Sequence, residues 1–360
     1  YDACGRQATL TDPDAGTLTY TYNAYGELVN QKDARSNQFS MTYDKLGRLI
    51  TKTCVNDNTV ITNTYNQSDA ESSKGLLAST TYSNGSSVSY VYDDFERVIQ
   101  KTEHTEKDFN YFYTYDTRGN LDEYTYPSGF VTKNNYSATN GSLVSVIDKA
   151  TGTAIYAPGN TNARGQLTDY INAGGTLCTT LQYDIYGLPT FVQTVLAAGG
   201  IALQNLETQF DPQTGNLNYR KDKKIQVNGS DLTETFTYDL VHKNRLASWQ
   251  VTGQPQFTMT YADNNGNILT KSDITSAGNP YIYTDQYNAL TKPHAVKSIN
   301  APLLVPAEPQ QDITYNSFNK VQQLTHTKQG LRLEIMYGPD EQRVKSDFYV
   351  NNVLAKTKYF

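Results

Sequence analysis

The sequence is poor in most of what a helical domain or a compact enzyme is built from. It holds one Trp and three Met, with charged residues at 18% and hydrophobic ones at 38%, both below the usual soluble shares. No 3.6-residue apolar period is sustained anywhere, so amphipathic helices have no support, and Asn205-Leu206-Glu207-Thr208 reads as a turn at most. No run approaches the roughly 18 apolar residues of a membrane span. The nearest, Val195 to Leu203, is broken by Gly199 and Gly200, which read as a hairpin tip. Cys4, Cys54 and Cys178 are odd in number and far apart, without CxxC spacing. That argues against a disulfide framework and a zinc site and leaves at most one disulfide open. Lys and Arg form no long polybasic run on a chain of net charge −6 and pI near 5.3, which argues against a nucleic-acid footprint.

Catalytic signatures are equally thin. His104, His242, His294 and His326 are dispersed with no metal-ligand spacing, and no GxSxG elbow, Walker loop or GxGxxG after a strand occurs. Paired carboxylates could make a glycosidase. Asp93-Asp94, Asp12 with Asp14, and Asp340-Glu341 all fall at expected turns, however, where Asp is wanted for backbone reasons. None has the alternating loop ending in Glu of a calcium site. The expectation is no catalytic, cofactor-binding or metal residue, hence no enzyme activity, in this segment.

What is abundant is Tyr (29) and Gly (24), a balance that favours pleated strands and tight turns. They recur in about fifteen copies of one unit. The clearest are Tyr1-Asp2-Ala3-Cys4-Gly5-Arg6, Tyr22-Asn23-Ala24-Tyr25-Gly26-Glu27-Leu28 and Tyr43-Asp44-Lys45-Leu46-Gly47-Arg48-Leu49. Further copies start at Tyr65, Tyr92 (with Asp93, Arg97 and Val98), Tyr115 (with Asp116, Gly119 and Leu121), Tyr136, Asn162 and Tyr183 (with Asp184 and Gly187). Beyond these, Phe210-Asp211 has a turn one residue longer, Tyr238-Asp239 is followed by Arg245, and Tyr261, Tyr287 and Tyr315 precede weaker turns. Tyr337, with Arg343, closes the series.

Tyr-x-Tyr, as in Tyr20-Thr21-Tyr22, puts two rings on one strand face. Asp or Asn then opens a turn, and Gly three places on accepts positive φ, as in a type I turn with a Gly bulge. The return strand brings Leu or Val to face the tyrosines. A second polar turn, such as Asn84-Gly85, Pro127-Ser128-Gly129 or Asn228-Gly229, leads to the next unit. Lone hairpins are marginal in water, so the units must pair side by side. The expected fold is all-β, a spiralling antiparallel sheet of repeated hairpins. Within it the tyrosines should form a ladder of cross-strand aromatic pairs. The recurrent Arg6, Arg48, Arg97, Arg245 and Arg343 are placed to stack on them.

At Tyr-Asp-x-x-Gly-Arg-Leu, repeated at 21 residues between Tyr1, Tyr22 and Tyr43, the chain resembles the RHS/YD-repeat family. That family includes bacterial RHS and wall-associated proteins, toxin-complex shell subunits and the teneurins. The resemblance covers essentially the whole chain. It implies that 1–360 are a single array, part of a hollow shell, secreted or at the cell surface. The implied role is a structural segment of a bacterial toxin carrier that encloses its own C-terminal toxin domain. Its implied partners are that cargo and the remaining repeats, with secretion machinery or cell-surface glycans as further contacts. The alternative is an extracellular adhesion or glycan-binding protein. The family's self-cleaving core has no match; Asp211-Pro212-Gln213-Thr214-Gly215 is read as a hairpin turn. Residues 300–310, with three prolines, are read as an inserted loop. Neither end looks natural, since Tyr1 and Tyr359 both fall within motif copies.

Overall fold

A computed structural model describes residues 1–12, 16–67, 73–239, 244–263, 266–274, 281–282, 298–299, 311–318, 320–326 and 329–360. The expected insertion at 300–310, the copy at Tyr287, Asp14, His242 and His294 lie outside them.

The described chain is strand almost throughout. Twenty-three strands, from Thr9–Asp12 to Ile268–Lys271, belong to one sheet, and five more, from Gln311–Tyr315 to Val353–Tyr359, form a second. Every described pairing is antiparallel and joins strands that are consecutive in order, as a chain of hairpins must be. A 3-10 turn spans Ala173–Gly175. One reading is corrected here. Asn205 to Thr208 is the middle of the strand Ala202–Phe210. Leu206 lies opposite Val192, and Glu207 accepts the Tyr219 hydroxyl at 2.7 Å. Ladder pairing and cross-strand bonds override a polar local composition.

Contacts divide the chain into two compact units. The first holds residues 1–113 and the described residues from 311 on; the second holds the described residues from 114 to 282, with 298–299. In the first unit the strand Gly16–Tyr22 alternates between half-buried and exposed positions, with Leu18, Tyr20 and Tyr22 on the more buried side. That side carries the unit's apolar cluster: Phe39, Met41 and fully buried Cys54, flanked by Leu28, Tyr43, Leu49 and Phe318. The other side is lined by small hydroxylic residues such as Thr42 and Thr51, whose hydroxyls meet at 2.6 Å. In the second unit Trp249 packs on Phe257 at 5.5 Å, with the Lys271 ammonium 4.9 Å from its ring centre. All three cysteines are free thiols.

Candidate functional site

The turn after each anchor residue is the chemically distinctive part of the chain. In the copy at Tyr43 the Gly47 N–H donates to Asp44 O at 3.1 Å and the Asp44 N–H to Arg48 O at 3.0 Å, the two bonds of a type I turn closed by a bulge. The ladder shifts register between Thr42 and Tyr43, and the same slip recurs at Tyr22, Tyr65, Tyr92, Tyr136, Tyr183, Tyr238 and Tyr337. Gly47 stands at φ +76, a region where a side chain clashes with its own backbone. In the copy at Tyr92 that place is taken by Glu96 at φ +62. Glu96→Gly should therefore stabilise the chain by about 1 kcal/mol. A urea titration showing no gain would refute the turn assignment.

The acid that opens the turn is fully used by it. Asp44 Oδ1 accepts the N–H groups of Leu46 and Arg48 at 2.8 and 2.9 Å, and its Oδ2 pairs with the Arg48 guanidinium at 2.5 Å. The Arg48 N–H and then its guanidinium hold this carboxyl below the usual carboxylate range, against the effect of burial. Asp2 with Arg6 and Asp93 with Arg97 repeat the arrangement. Where the charges change, the complement survives. Asn23 donates to Glu27, Asn120 to Asp116, and Asn162 to Gln166. In each of these pairs one partner donates and the other accepts, four residues along. Asp239 and Arg245 keep the pair at 3.1 Å across a longer loop.

Nine repeats are then tied to the one before them. The anchor hydroxyl donates to a backbone carbonyl of the preceding return strand: Tyr22 to Gln7, Tyr43 to Leu28, Tyr65 to Leu49, Tyr92 to Leu77, Tyr136 to Leu121, Tyr183 to Leu167, Tyr238 to Leu217, Tyr261 to Leu246 and Tyr337 to Val321, at 2.7 to 3.0 Å. The guanidinium carbons of Arg6, Arg48 and Arg245 lie 4.7, 4.2 and 4.5 Å from the ring centres of the next anchors, Tyr22, Tyr65 and Tyr261. The joint between repeats is thus hydroxyl to carbonyl and cation to ring. Ring pairs run along the chain at Tyr90–Tyr92 and Tyr124–Tyr126, and across paired strands at Tyr156–Tyr170 and Trp249–Phe257. Tyr43→Phe should cost about 1 kcal/mol, the value of one such bond. Tyr25→Phe, at a solvent-exposed turn tip, should cost nothing measurable in the same urea titration.

A protein-family model for the teneurin YD-shell matches residues 1–204, the stretch in which this turn and ladder are most regular. The chain belongs to the teneurin YD-shell family. Its fold is that of the crystal structure of TcdB2-TccC3, with a TM-score of 0.71 over 98% of this chain at 14% identity. The Tc holotoxin pore of Photorhabdus luminescens matches all of this chain with a TM-score of 0.67, also at 14% identity. The chain spans only 21% of the length of those chains. No curated protein matches it in sequence.

Within this YD-shell segment, the first unit has a seam where the five-stranded sheet meets the N-terminal repeats. Turn-tip residues Tyr25, Leu46 and Phe95 are 90%, 76% and 78% exposed. Phe318, at the tip of the turn closed by Asn316 and Lys320, instead stacks on Phe39 at 5.3 Å and meets Tyr82 edge-on at 6.2 Å. Around it Lys52 pairs with Glu341 at 2.9 Å and Asn84 donates to Tyr337 O at 2.8 Å. Burial, with Asp57 and Glu341 nearby, pushes the Tyr82 phenol up to about 12. Further along, Lys345 bridges Glu106 at 2.5 Å and Asp347 at 2.9 Å.

The remaining sequence candidates sort by register. Tyr337 lies opposite Arg343, as Tyr43 lies opposite Leu49. Arg343 therefore occupies the leucine place and is exposed, while Gln342 stands where the stacking arginine would be. This corrects its assignment: Glu341 takes the positive-φ place at +60, so the next residue, Gln342, falls in the arginine place and Arg343 one beyond it. Leu188 follows Asp184 in the arginine place, and the turn there rests on Gly187 at φ +89. Asp211 is a hairpin turn residue: its Oδ1 accepts from Gln213 and Thr214. The carboxylates weighed as a catalytic pair are similarly placed, with Asp340 accepting the Gln342 N–H and Glu341 held by Lys52. His104 pairs with Asp108 across its own hairpin end at 2.6 Å. Among the described residues no group of three or more His, Cys, Asp or Glu side chains could hold a metal, and no helix is long and apolar enough to cross a membrane.

Proposed function

We propose that this segment is wall of a hollow YD-repeat shell, part of a secreted or surface-delivered toxin carrier that encloses its own C-terminal toxin domain. The observation that carries the reading is the hydroxyl-to-carbonyl ladder. It commits the anchor hydroxyls to holding repeat against repeat, while the turn acids hold their own turns. Family membership and a fold shared with chains of toxin-complex structures support the shell role. The array is proposed to be continuous through 1–360, with 300–310 inserted into it and with no catalytic role of its own.

Limited proteolysis of the full-length gene product tests this. The region C-terminal to the repeats should resist protease until the array is denatured, and should be digested rapidly when expressed alone. Equal digestion rates in the two forms would overturn the encapsulation role.

A further inference from the structure

Asparagine before glycine is the dipeptide most prone to lose ammonia, because no side chain shields the glycine nitrogen. Three such pairs fall within the described residues, and all read Asn-Gly-Ser: Asn84-Gly85-Ser86, Asn140-Gly141-Ser142 and Asn228-Gly229-Ser230. The asparagine of a fourth, Asn265-Gly266, lies outside them. The three share their local chemistry and differ in what the fold does to it. At Asn84 the Gly85 N–H donates to Tyr82 O at 2.9 Å. Asn84 Oδ1 accepts the Ser86 N–H and hydroxyl at 2.9 and 2.7 Å, and its Nδ2 donates to Tyr337 O at 2.8 Å. At Asn140 the Gly141 N–H donates to Ser137 O at 3.0 Å, and Oδ1 accepts the Ser142 N–H and hydroxyl at 3.1 and 2.9 Å. Asn228 and Gly229 are the exposed two-residue loop between strands Leu217–Val227 and Ser230–Asp239. Their φ values of +52 and +78 are those of a type I′ turn. Among the described residues, neither the Asn228 carboxamide nor the Gly229 N–H has a hydrogen-bond partner.

We infer that Asn228 is a site of spontaneous deamidation, and that the fold protects Asn84 and Asn140 from the same reaction. The Gly229 nitrogen gives its proton to base and attacks Asn228 Cγ. The new N–C bond closes a succinimide ring while the Cγ–Nδ2 bond breaks, and the amide nitrogen takes a proton from water and leaves as ammonia. Water then opens the ring at either carbonyl and leaves aspartate or isoaspartate. At the other two sites hydrogen bonds oppose this twice. The glycine proton is held on a main-chain carbonyl, and the carboxamide is fixed by its oxygen. Gly229 has neither restraint, and open space surrounds it, so the loop is free to turn its nitrogen onto Cγ. Isoaspartate adds a methylene to the main chain of a two-residue loop, so the pairing of Val227 with Ser230 loses its register. The reaction needs no ligand and holds whatever the array encloses.

The test is peptide mapping by mass spectrometry of the 360-residue chain, made in a bacterial host and aged at mildly alkaline pH, both folded and unfolded in guanidinium chloride. In the folded chain Asn228 should convert at least about ten-fold faster than Asn84 or Asn140, where hydrogen bonds must break first. In the unfolded chain the three rates should converge, since all three sites read Asn-Gly-Ser. Isoaspartyl methyltransferase should label the aged folded chain at the Asn228 peptide, and Asn228→Gln should remove that label. Equal rates at the three sites in the folded chain would overturn the inference. Faster loss at Asn84 or Asn140 would overturn it too, because the serine hydroxyls would then activate the carboxamide and not restrain it. A rate difference that persists in guanidinium chloride would assign the preference to local sequence and remove the fold from it.

Discussion

Phe39→Ala should destabilise the first unit by about 3 kcal/mol, the ordinary cost of emptying a phenylalanine site in a packed core. Phe39 is 6% exposed and packs with Met41 and the fully buried Cys54. It is also the surface on which Phe318 stacks, and the Lys52 ammonium lies 5.4 Å from one ring centre and 4.8 Å from the other. The loss therefore has two parts: apolar area returned to water, and a broken joint between the N-terminal repeats and the five-stranded sheet. Phe318→Ala breaks only the joint. A double-mutant cycle separates the two, and the coupling between Phe39 and Phe318 should be about 1 kcal/mol. Urea unfolding followed by far-UV circular dichroism gives both numbers. Additive single effects, or a cost for Phe39→Ala under about 1 kcal/mol, would mean that the seam does not hold the two sheets together.

The hairpin turns were legible in the sequence because every bond that makes them lies within about six residues, and each residue type has its own backbone reason to be there. The complement between the turn acid and the residue four places on was written in the same letters but not read. Spacing of four suggests a helix face, and only the turn brings Asp44 and Arg48 together. The hydroxyl ladder left no trace, since its acceptors are main-chain carbonyls and Gln7, Leu28 and Val321 serve equally. The seam is illegible for another reason. Lys52 and Glu341 are 289 residues apart and Lys345 and Glu106 are 239 apart, and no local pattern encodes such a pairing. Phe318 occupies the same kind of turn tip as Leu46 and Phe95, and only its contacts with Phe39 and Tyr82 set it apart.

Lys345→Ala should cost about 2 kcal/mol, less than the full loss from breaking a buried ion pair because one partner is largely in water. The Lys345 side chain is 11% exposed, between Asp347 at 15% and Glu106 at 61%. Burial alone would lower its pKa, but Glu106 and Asp347 outweigh that and raise it. In return Lys345, and after it the Tyr359 hydroxyl, hold Glu106 below the usual carboxylate range. Asp347 is also lowered, Thr357 and Lys345 overcoming the effect of its burial. The sign follows from those two acids. A carboxyl whose folded pKa is depressed stabilises the fold above its unfolded pKa, near 4, and that contribution fades as pH falls through the lower folded value. The deficit of Lys345→Ala against the parent chain should therefore be full at pH 7 and shrink below about pH 4. Lys345→Met, which keeps the stem packed, should show the same pH dependence on a smaller loss. Urea midpoints measured for the three chains at pH 7 and pH 3.5 decide it. A deficit that does not change with pH would assign the cost to lost packing and remove the charge clasp from the seam.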